Sequence, residues 1–447
     1  MKIVKRVLAM FTALAAVLPL YSQNGVNSPY SRYGFGLMSD RALGFNKGMS
    51  GVAQGFRDGK ETNVSNPASY SAIDSLTALI DFGLTFQNGN YKMDNLQKNA
   101  RNTSIDYFTF EFRAFKNLGM SLGILPYTNI NYSFGSSSET LPGSSDITSS
   151  YKFSGSGGLH QVYFGTGWKV FGTPLSIGAN ISYIYGDYSH TSTVSYSESS
   201  VYSTVRGYAA DISTWKLDAG LQYTLKVSKK DDITIGATYS LGHDVKNRAI
   251  RNTETLESST VQSITSDTIH NAFQLPHSID AGLTWRHGHR WRLGGDFGLE
   301  KWSECKFPAQ DNGNGAYITR KGLLYDRMKA GLGFDYTPDY QSKKFFKRMT
   351  YKVGGYYSQS YACADPTGVV SDKPFEFGVS AGVTIPIVSS HLWYNSPKLN
   401  FAVSWVHSDI PYLNTTTKKK SSLVENYVKF SIGLTFSERW FYKWKVQ

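Results

Sequence analysis

From residue 76 to residue 437 the chain alternates apolar and polar positions with a period of two. Leu76, Ala78, Ile80, Phe82, Leu84 and Phe86 open the pattern. Phe108, Phe110 and Phe112 follow, set against Thr109, Glu111 and Arg113. Leu118, Met120, Leu122 and Ile124 then alternate with Gly119, Ser121 and Gly123. Period-two alternation puts one class of residue on each face of a strand. The same reading predicts strands near 158–171, 174–186, 205–227, 231–243, 272–286, 290–304, 322–336, 347–360, 373–387, 397–408 and 424–437. The total is fourteen, an even number, and each is long enough to cross a bilayer when tilted.

The connections alternate in length. Lys116-Asn117, 171–173, 228–230 and 287–289 are short, whereas 135–150, 186–200 and the Ser/Thr-rich 251–268 read as long polar loops. Short turns at one end and long loops at the other characterise outer-membrane barrels. A β-propeller would repeat a motif every 40–50 residues, and none recurs.

The faces point the same way. Ile279, Ala281, Leu283 and Trp285 form an apolar face, and Ser278, Asp280, Gly282 and Thr284 a small or charged one. Leu399, Phe401, Val403 and Trp405 repeat the apolar face. A strand that is apolar outside and wet inside needs lipid around it and closure of the sheet, because an open edge in hydrocarbon leaves backbone groups unpaired. Trp168, Trp215, Trp302, Tyr336 and Tyr357 fall at strand ends, as in interfacial aromatic girdles. The expected fold is all-β: a fourteen-stranded antiparallel transmembrane β-barrel over 76–437, plugged by an N-terminal hatch over 23–75. Residues 438–447 add an aromatic and basic tail at the periplasmic interface.

The hatch is read from the absence of pattern. Gly44 to Ala68 is Gly-rich, charged in its middle and without strand alternation, a stretch too long to be an idle loop. Gly48 and Gly51 would permit close approach of plug and wall. Asn66 would cap or bind backbone, and Pro67, before Ala68, sets the chain's direction. A barrel of this size has a lumen wider than its own side chains fill. Pro126 sits well into the third strand, beside Gly123, and gives no donor to the ladder. The readings there are a sideways opening of the wall or a simple bulge.

Composition sets the compartment. Residues 1–22 carry Lys2, Lys5 and Arg6 before an apolar core at 7–20 and read as a signal peptide. Its removal lowers the formal charge from +12 to +9. In an exported membrane protein that basic balance suits anionic lipid headgroups rather than nucleic acid.

Beyond the strand pattern, the Asn66-Pro67-Ala68 signature after a Gly-rich plug resembles the FadL/OmpP1 family of outer-membrane hydrophobic-compound transporters. GMSLGILPY (119–127), GGLHQVYFGTGWKVF (157–171) and LPHSIDAGLTW (275–285) add to the likeness. SPYSRYGFG (28–36) and IGLTFSERWFYK (432–443) resemble the branch found in Bacteroidota. The resemblance covers nearly all of the mature chain. It implies an N-terminal hatch that blocks the lumen, a hydrophobic ligand bound near it, and exit through a gap made by a kinked third strand, here Gly123 and Pro126. It also implies the cell outer membrane, with lipids and lipopolysaccharide around the wall, short turns in the periplasm and long loops outside.

One departure opens a second reading. The inward positions carry Asp81, Glu111, Arg113, Asp280, Arg292, Asp296 and Lys329, charges of both signs that would pair across the lumen and hold the hatch. No continuous apolar pore is visible. The two functions carried forward are uptake of small hydrophobic compounds and a non-transporting accessory barrel in an outer-membrane protein assembly or secretion complex. No nucleophile–base pair, cofactor loop or metal set suggests an enzyme. His287 and His289 read as a basic turn, and Asp311 to Gly315 lacks the terminal Glu of a calcium loop. Cys305 and Cys363 fall in outer loops of an exported protein and are a candidate disulfide.

Overall fold

The protein is described from a computed structural model over residues 27–93, 96–135, 139–140, 147–198, 200–257, 260–311, 313, 315–362, 373–387, 397–413 and 420–439. Its wall has fourteen antiparallel strands: β1 (Thr77–Met93), β2 (Leu96–Phe115), β3 (Leu118–Pro126, continued as Thr128–Gly135), β4 (Thr148–Lys169), β5 (Leu175–Tyr196), β6 (Ser203–Lys226), β7 (Asp231–Ser240), β8 (Ser278–His287), β9 (Trp291–Glu300), β10 (Arg327–Tyr336), β11 (Thr350–Gln359), β12 (Phe375–Pro386), β13 (Lys398–Leu413) and β14 (Lys420–Arg439). Each pairs with the next. β14 closes the barrel on β1, in register from Thr77↔Arg439 to Met93↔Leu423. Closure pairs the first strand with the last, as a sheet in hydrocarbon requires.

The alternation sorts as the sequence predicts. Leu283, Phe297, Leu332 and Phe430 are more than half exposed on the outside. Ser278, Thr284, Ser380 and Thr384 are buried inside. This is an outer-membrane barrel, with an apolar exterior and a polar interior. Trp302 corrects the girdle expectation: it is fully buried at the outer end, not at the lipid interface.

The polar connections also differ from expectation. Residues 186–196 continue β5, and 251–257 and 260–268 belong to a hairpin, Arg248–Glu257 paired with Thr260–His270, that extends the wall outward from β6. Their Thr, Val and Ile favour extended backbone. Above the membrane both faces of a strand are wet, so polarity alone does not separate strand from loop.

The wall has one seam. β2 pairs with β3 only as far as Phe108↔Ile124. Beyond Pro126 the continuation Thr128–Gly135 pairs with β4 on one side. On the other, where β2 would lie, it pairs with Leu37–Met38 of the N-terminal segment. The Tyr127 N–H donates to Leu159 O at 2.7 Å, on the β4 side. Backbone direction alternates along a strand, so Pro126 faces the β2 side, where it has no N–H to give.

Candidate functional site

Residues 27–73 run through the lumen from its outer to its periplasmic end. Asn27 lies between Asn102 of β2 and Asn131 of β3, and Ile73 accepts from Arg113 near the periplasmic turn. The segment has short 3-10 turns at Pro29–Arg32, Lys47–Met49 and Pro67–Ala72. Its glycines and prolines forbid longer regular structure, so its backbone groups are satisfied largely by the wall.

Asn66 is fully buried. Its side-chain oxygen caps the Pro67–Ala72 turn by accepting from Ala68 N–H at 3.2 Å. Its amide donates to Gln54 O at 3.0 Å and to Leu221 O of β6 at 3.1 Å. One side chain thus ends a turn, ties two parts of the segment together and ties both to the wall. Pro67 lies against Gly167, Gly178 and Gly220, where an added Cβ would meet it at 2.4 to 2.7 Å. Ala68 is fully buried. Gly48 has its Cα against Gly382 of β12. Gly51 differs: a Cβ there has room, but its φ of +82° is a left-handed conformation that favours glycine.

Where the segment touches the wall, the wall is often glycine. Gly119, Gly167, Gly178 and Gly220 face each other across successive strand pairs. Gly236 of β7, Gly354 of β11 and Gly433 of β14 continue the row; a Cβ at Gly236 would meet Gln54 O at 1.9 Å. Sequence reasoning looked for glycines in the plug and missed those in the wall. The signal was present: small residues on the inward face of most strands.

Charges bind the same level. Arg292 of β9 reaches Asp335 of β10 at 2.6 Å and, in the segment, Glu61 at 2.8 Å and Asp58 at 3.4 Å. Glu61 also takes Lys398 of β13 at 3.2 Å. Burial pushes the Glu61 carboxyl up, but Arg292, Lys398 and Lys352 pull it well below the usual carboxylate range. Asp296 accepts the Ala53 and Gln54 N–H groups at 2.6 and 2.9 Å. Lys352 donates to Phe45 O, and Lys47 pairs with Asp106. A bulge in β2 (the register slips between Gly83 and Leu84 of β1) turns both Asp106 and Tyr107 inward. Tyr107 then accepts from Gly44 N–H and donates to Asp81.

The other lumen charges are spread out. Glu111 is buried beside the segment, and Asp280 approaches Gly298. Lys329 lies over the Tyr356 ring at 4.8 Å. Asp40 and Arg41, which sequence reasoning did not single out, face charges of opposite sign. Burial raises the Asp40 carboxyl, but Lys329, Lys429 and Lys47 bring it below its usual value. Arg41 faces Glu300, Asp218 and Asp280.

Apolar packing fills the rest. Leu43, Phe45, Met49, Val52, Phe56 and Tyr70 of the segment form a core with Tyr107, Leu125 and Tyr163 of the wall. Farther out, Phe35 packs at 5.1 Å from Phe273 and 6.0 Å from Trp302 in a second core beneath the outer loops. Gly123 lies just below the seam, where a Cβ would meet Phe108 O and the Tyr163 ring. Cys305 belongs to the outer core, and its thiol donates to Lys301 O at 3.5 Å. Cys363 lies outside the described residues, as do 440–447 of the aromatic tail. Among the described residues no group of His, Cys, Asp and Glu is arranged to hold a metal ion.

The fold and its filled lumen define an outer-membrane barrel of FadL-like architecture. The chain matches the Pseudomonas putida toluene transporter TodX with a TM-score of 0.59 at 13% identity, over 91% of this chain and 100% of that one. A Pseudomonas aeruginosa FadL homologue gives 0.59 at 12%, over 90% and 99%. The monoaromatic hydrocarbon channel CymD gives 0.57 at 15%, over 90% and 98%. At these identities the likeness is one of fold. The sequence itself matches the family BamG over residues 3–447, and the chain belongs to that family. No curated protein matches it.

Proposed function

We propose that this chain is a non-transporting accessory barrel, a subunit of a larger outer-membrane protein assembly or secretion complex, with residues 27–73 as a permanent plug. The observation that carries the reading is how the lumen is occupied. The segment is bonded to inward-facing groups of β2, β5, β6, β9, β11, β12 and β13. Tyr70, Tyr107, Tyr163, Phe45 and Phe56, all nearly fully buried, take up the space a lipophilic ligand would need beside it. Releasing the plug would uncover buried carboxylates at Glu61 and Asp335, a costly state.

A second reading is uptake of small hydrophobic compounds with exit through the wall. It is favoured by the seam at Pro126 and by the likeness in fold to a monoaromatic hydrocarbon channel and a toluene transporter. Purification from outer membranes in a gentle detergent, followed by mass spectrometry, separates the two. Stoichiometric partner subunits are expected. A lone barrel carrying lipid-like ligand would overturn the accessory reading in favour of uptake.

A further inference from the structure

The periplasmic mouth of the barrel holds a cleft of about 890 Å³ that the plug leaves open. Its floor is Arg57 to Gly59, Ser71, Ala72 and Asp74 of the segment, and its sides are the periplasmic strand ends and turns from Arg113 of β2 round to Arg292 of β9. We propose that this cleft is a docking site for an acidic, extended segment of a periplasmic partner protein. The inference deepens the accessory-subunit reading by naming the chemistry of one partner, and it rests on that reading for its biological sense.

The argument is one of unbalanced charge in a shaped recess. The acids around the cleft are largely committed: Asp232 pairs with Arg286 at 2.5 Å, and Asp58 approaches Arg292 at 3.4 Å. The cations are not. Arg57 donates only to neutral groups, Ala68 O at 3.1 Å, Ser71 Oγ at 2.9 Å and Gln222 Oε1 at 3.3 Å. Its guanidinium is lowered to about 10 by burial and then by Arg286, the mark of a cation short of counter-charge. Arg113 donates to the Ile73 and Phe115 carbonyls, again without a carboxylate. Lys169 and Lys226 stand exposed at the rim. Against these four only Asp74 remains.

Several features select the occupant. The volume holds several residues of extended chain, far more than a single phosphate. The strand ends and turns that wall the cleft stand between it and the surrounding lipid, and charged side chains, Arg57, Arg113, Lys169 and Lys226 among them, alternate in its lining with Ala72, Val170, Pro174 and Leu225. Lys229, Lys230, Arg290, Lys343, Lys344 and Lys347 on the neighbouring turns would steer an acidic chain inward.

The test is fluorescence anisotropy of labelled octa-glutamate against the intact, detergent-purified protein, with octa-glutamine as control. Saturable binding of octa-glutamate alone is expected, weakened about tenfold or more between low and physiological salt. Lys169→Glu with Lys226→Glu, both on exposed side chains that hold no part of the plug, should weaken it at least about tenfold. Unchanged heat-modifiability on gels shows that the variant is folded. No binding at low salt, equal binding of octa-glutamine, an unaffected charge-reversal variant, or displacement of the peptide by stoichiometric phosphatidylglycerol would each overturn the inference, the last in favour of a lipid. Failure here while partner subunits co-purify leaves the accessory reading intact. Peptide binding by a barrel that purifies alone would do the reverse.

Discussion

The N-terminal segment is held in two chemically different ways. In the periplasmic half of the lumen, residues 41–73 meet glycines, charges and amides around an apolar core, and their polar anchor is Arg292 with Glu61 and Asp335. In the outer half, residues 28–38 add a short strand to β3 and bury Phe35 among Phe273, Trp302 and Phe307. The first is specific: its polar groups match only in one placement, and mismatches leave buried groups unpaired. The second is strong but permissive, since apolar area is gained in many packings. A segment clamped by both is positioned by one and retained by the other.

The largest effects should separate the halves. Arg292→Met leaves Glu61 and Asp335 without their shared cation and should cost about 3–5 kcal/mol locally. Hydrogen exchange should then rise across 41–73 while 28–38 stays protected. Trp302→Ala removes a fully buried ring and should cost about 3–5 kcal/mol, with the opposite pattern. If either variant loosens both halves equally, the plug is one cooperative unit and the comparison fails.

The next effect down tests the glycine row. Gly236→Ala would push a methyl into the Gln54 carbonyl, whose backbone cannot swing aside as a side chain would. Overpacking of this kind costs about 1–3 kcal/mol, seen as a lowered unfolding temperature and faster exchange near Gln54. Gly207→Ala, where nothing lies within 4 Å, is the control and should change neither.

Acidity offers a gentler probe. The Glu61 carboxyl is held below its ordinary value, so its stabilisation is fully present above the unfolded value of about 4.3 and is lost as pH falls through the folded one. The part of the protection of 41–73 that Glu61 supplies should therefore be flat from about pH 8 to 5 and decline only below about pH 4. Protection of 28–38, which has no part in the Glu61 cluster, should not follow. Loosening of 41–73 near neutral pH would mean that another group sets the anchor.

These contrasts also explain what the sequence could show. The wall was legible because bilayer and lumen impose one rule on every strand: Leu283 out, Thr284 in. The alternation fails where that rule lapses, above the membrane, and there it predicts loops at 186–200 and 251–268 where strand continues. The inward charges were legible as a set, but their partners were not. Arg292 meets Glu61 across more than two hundred residues, and spacing along a chain carries no information about such a pair. The bulge that turns Tyr107 toward Gly44 is a one-residue slip that alternation hides. The wall glycines were visible but had no stated partner until the plug was in place.

The smallest expected effect bears on function most directly. Pro126 faces the seam, so Pro126→Ala returns an N–H to the side where β2 has already parted from β3. The N-terminal segment follows on that side, where Ser39 N–H donates to Tyr127 O at 3.0 Å. The change in stability should stay within about 1 kcal/mol. If the seam is the end of a passage, that small repair should still slow entry of a hydrophobic compound severalfold, measured as growth or uptake on toluene-like substrates. If the plug is permanent, uptake is unaffected and association with partner subunits is unchanged. A variant that is silent in stability and loud in uptake would move the seam from a structural consequence of the plug to its purpose.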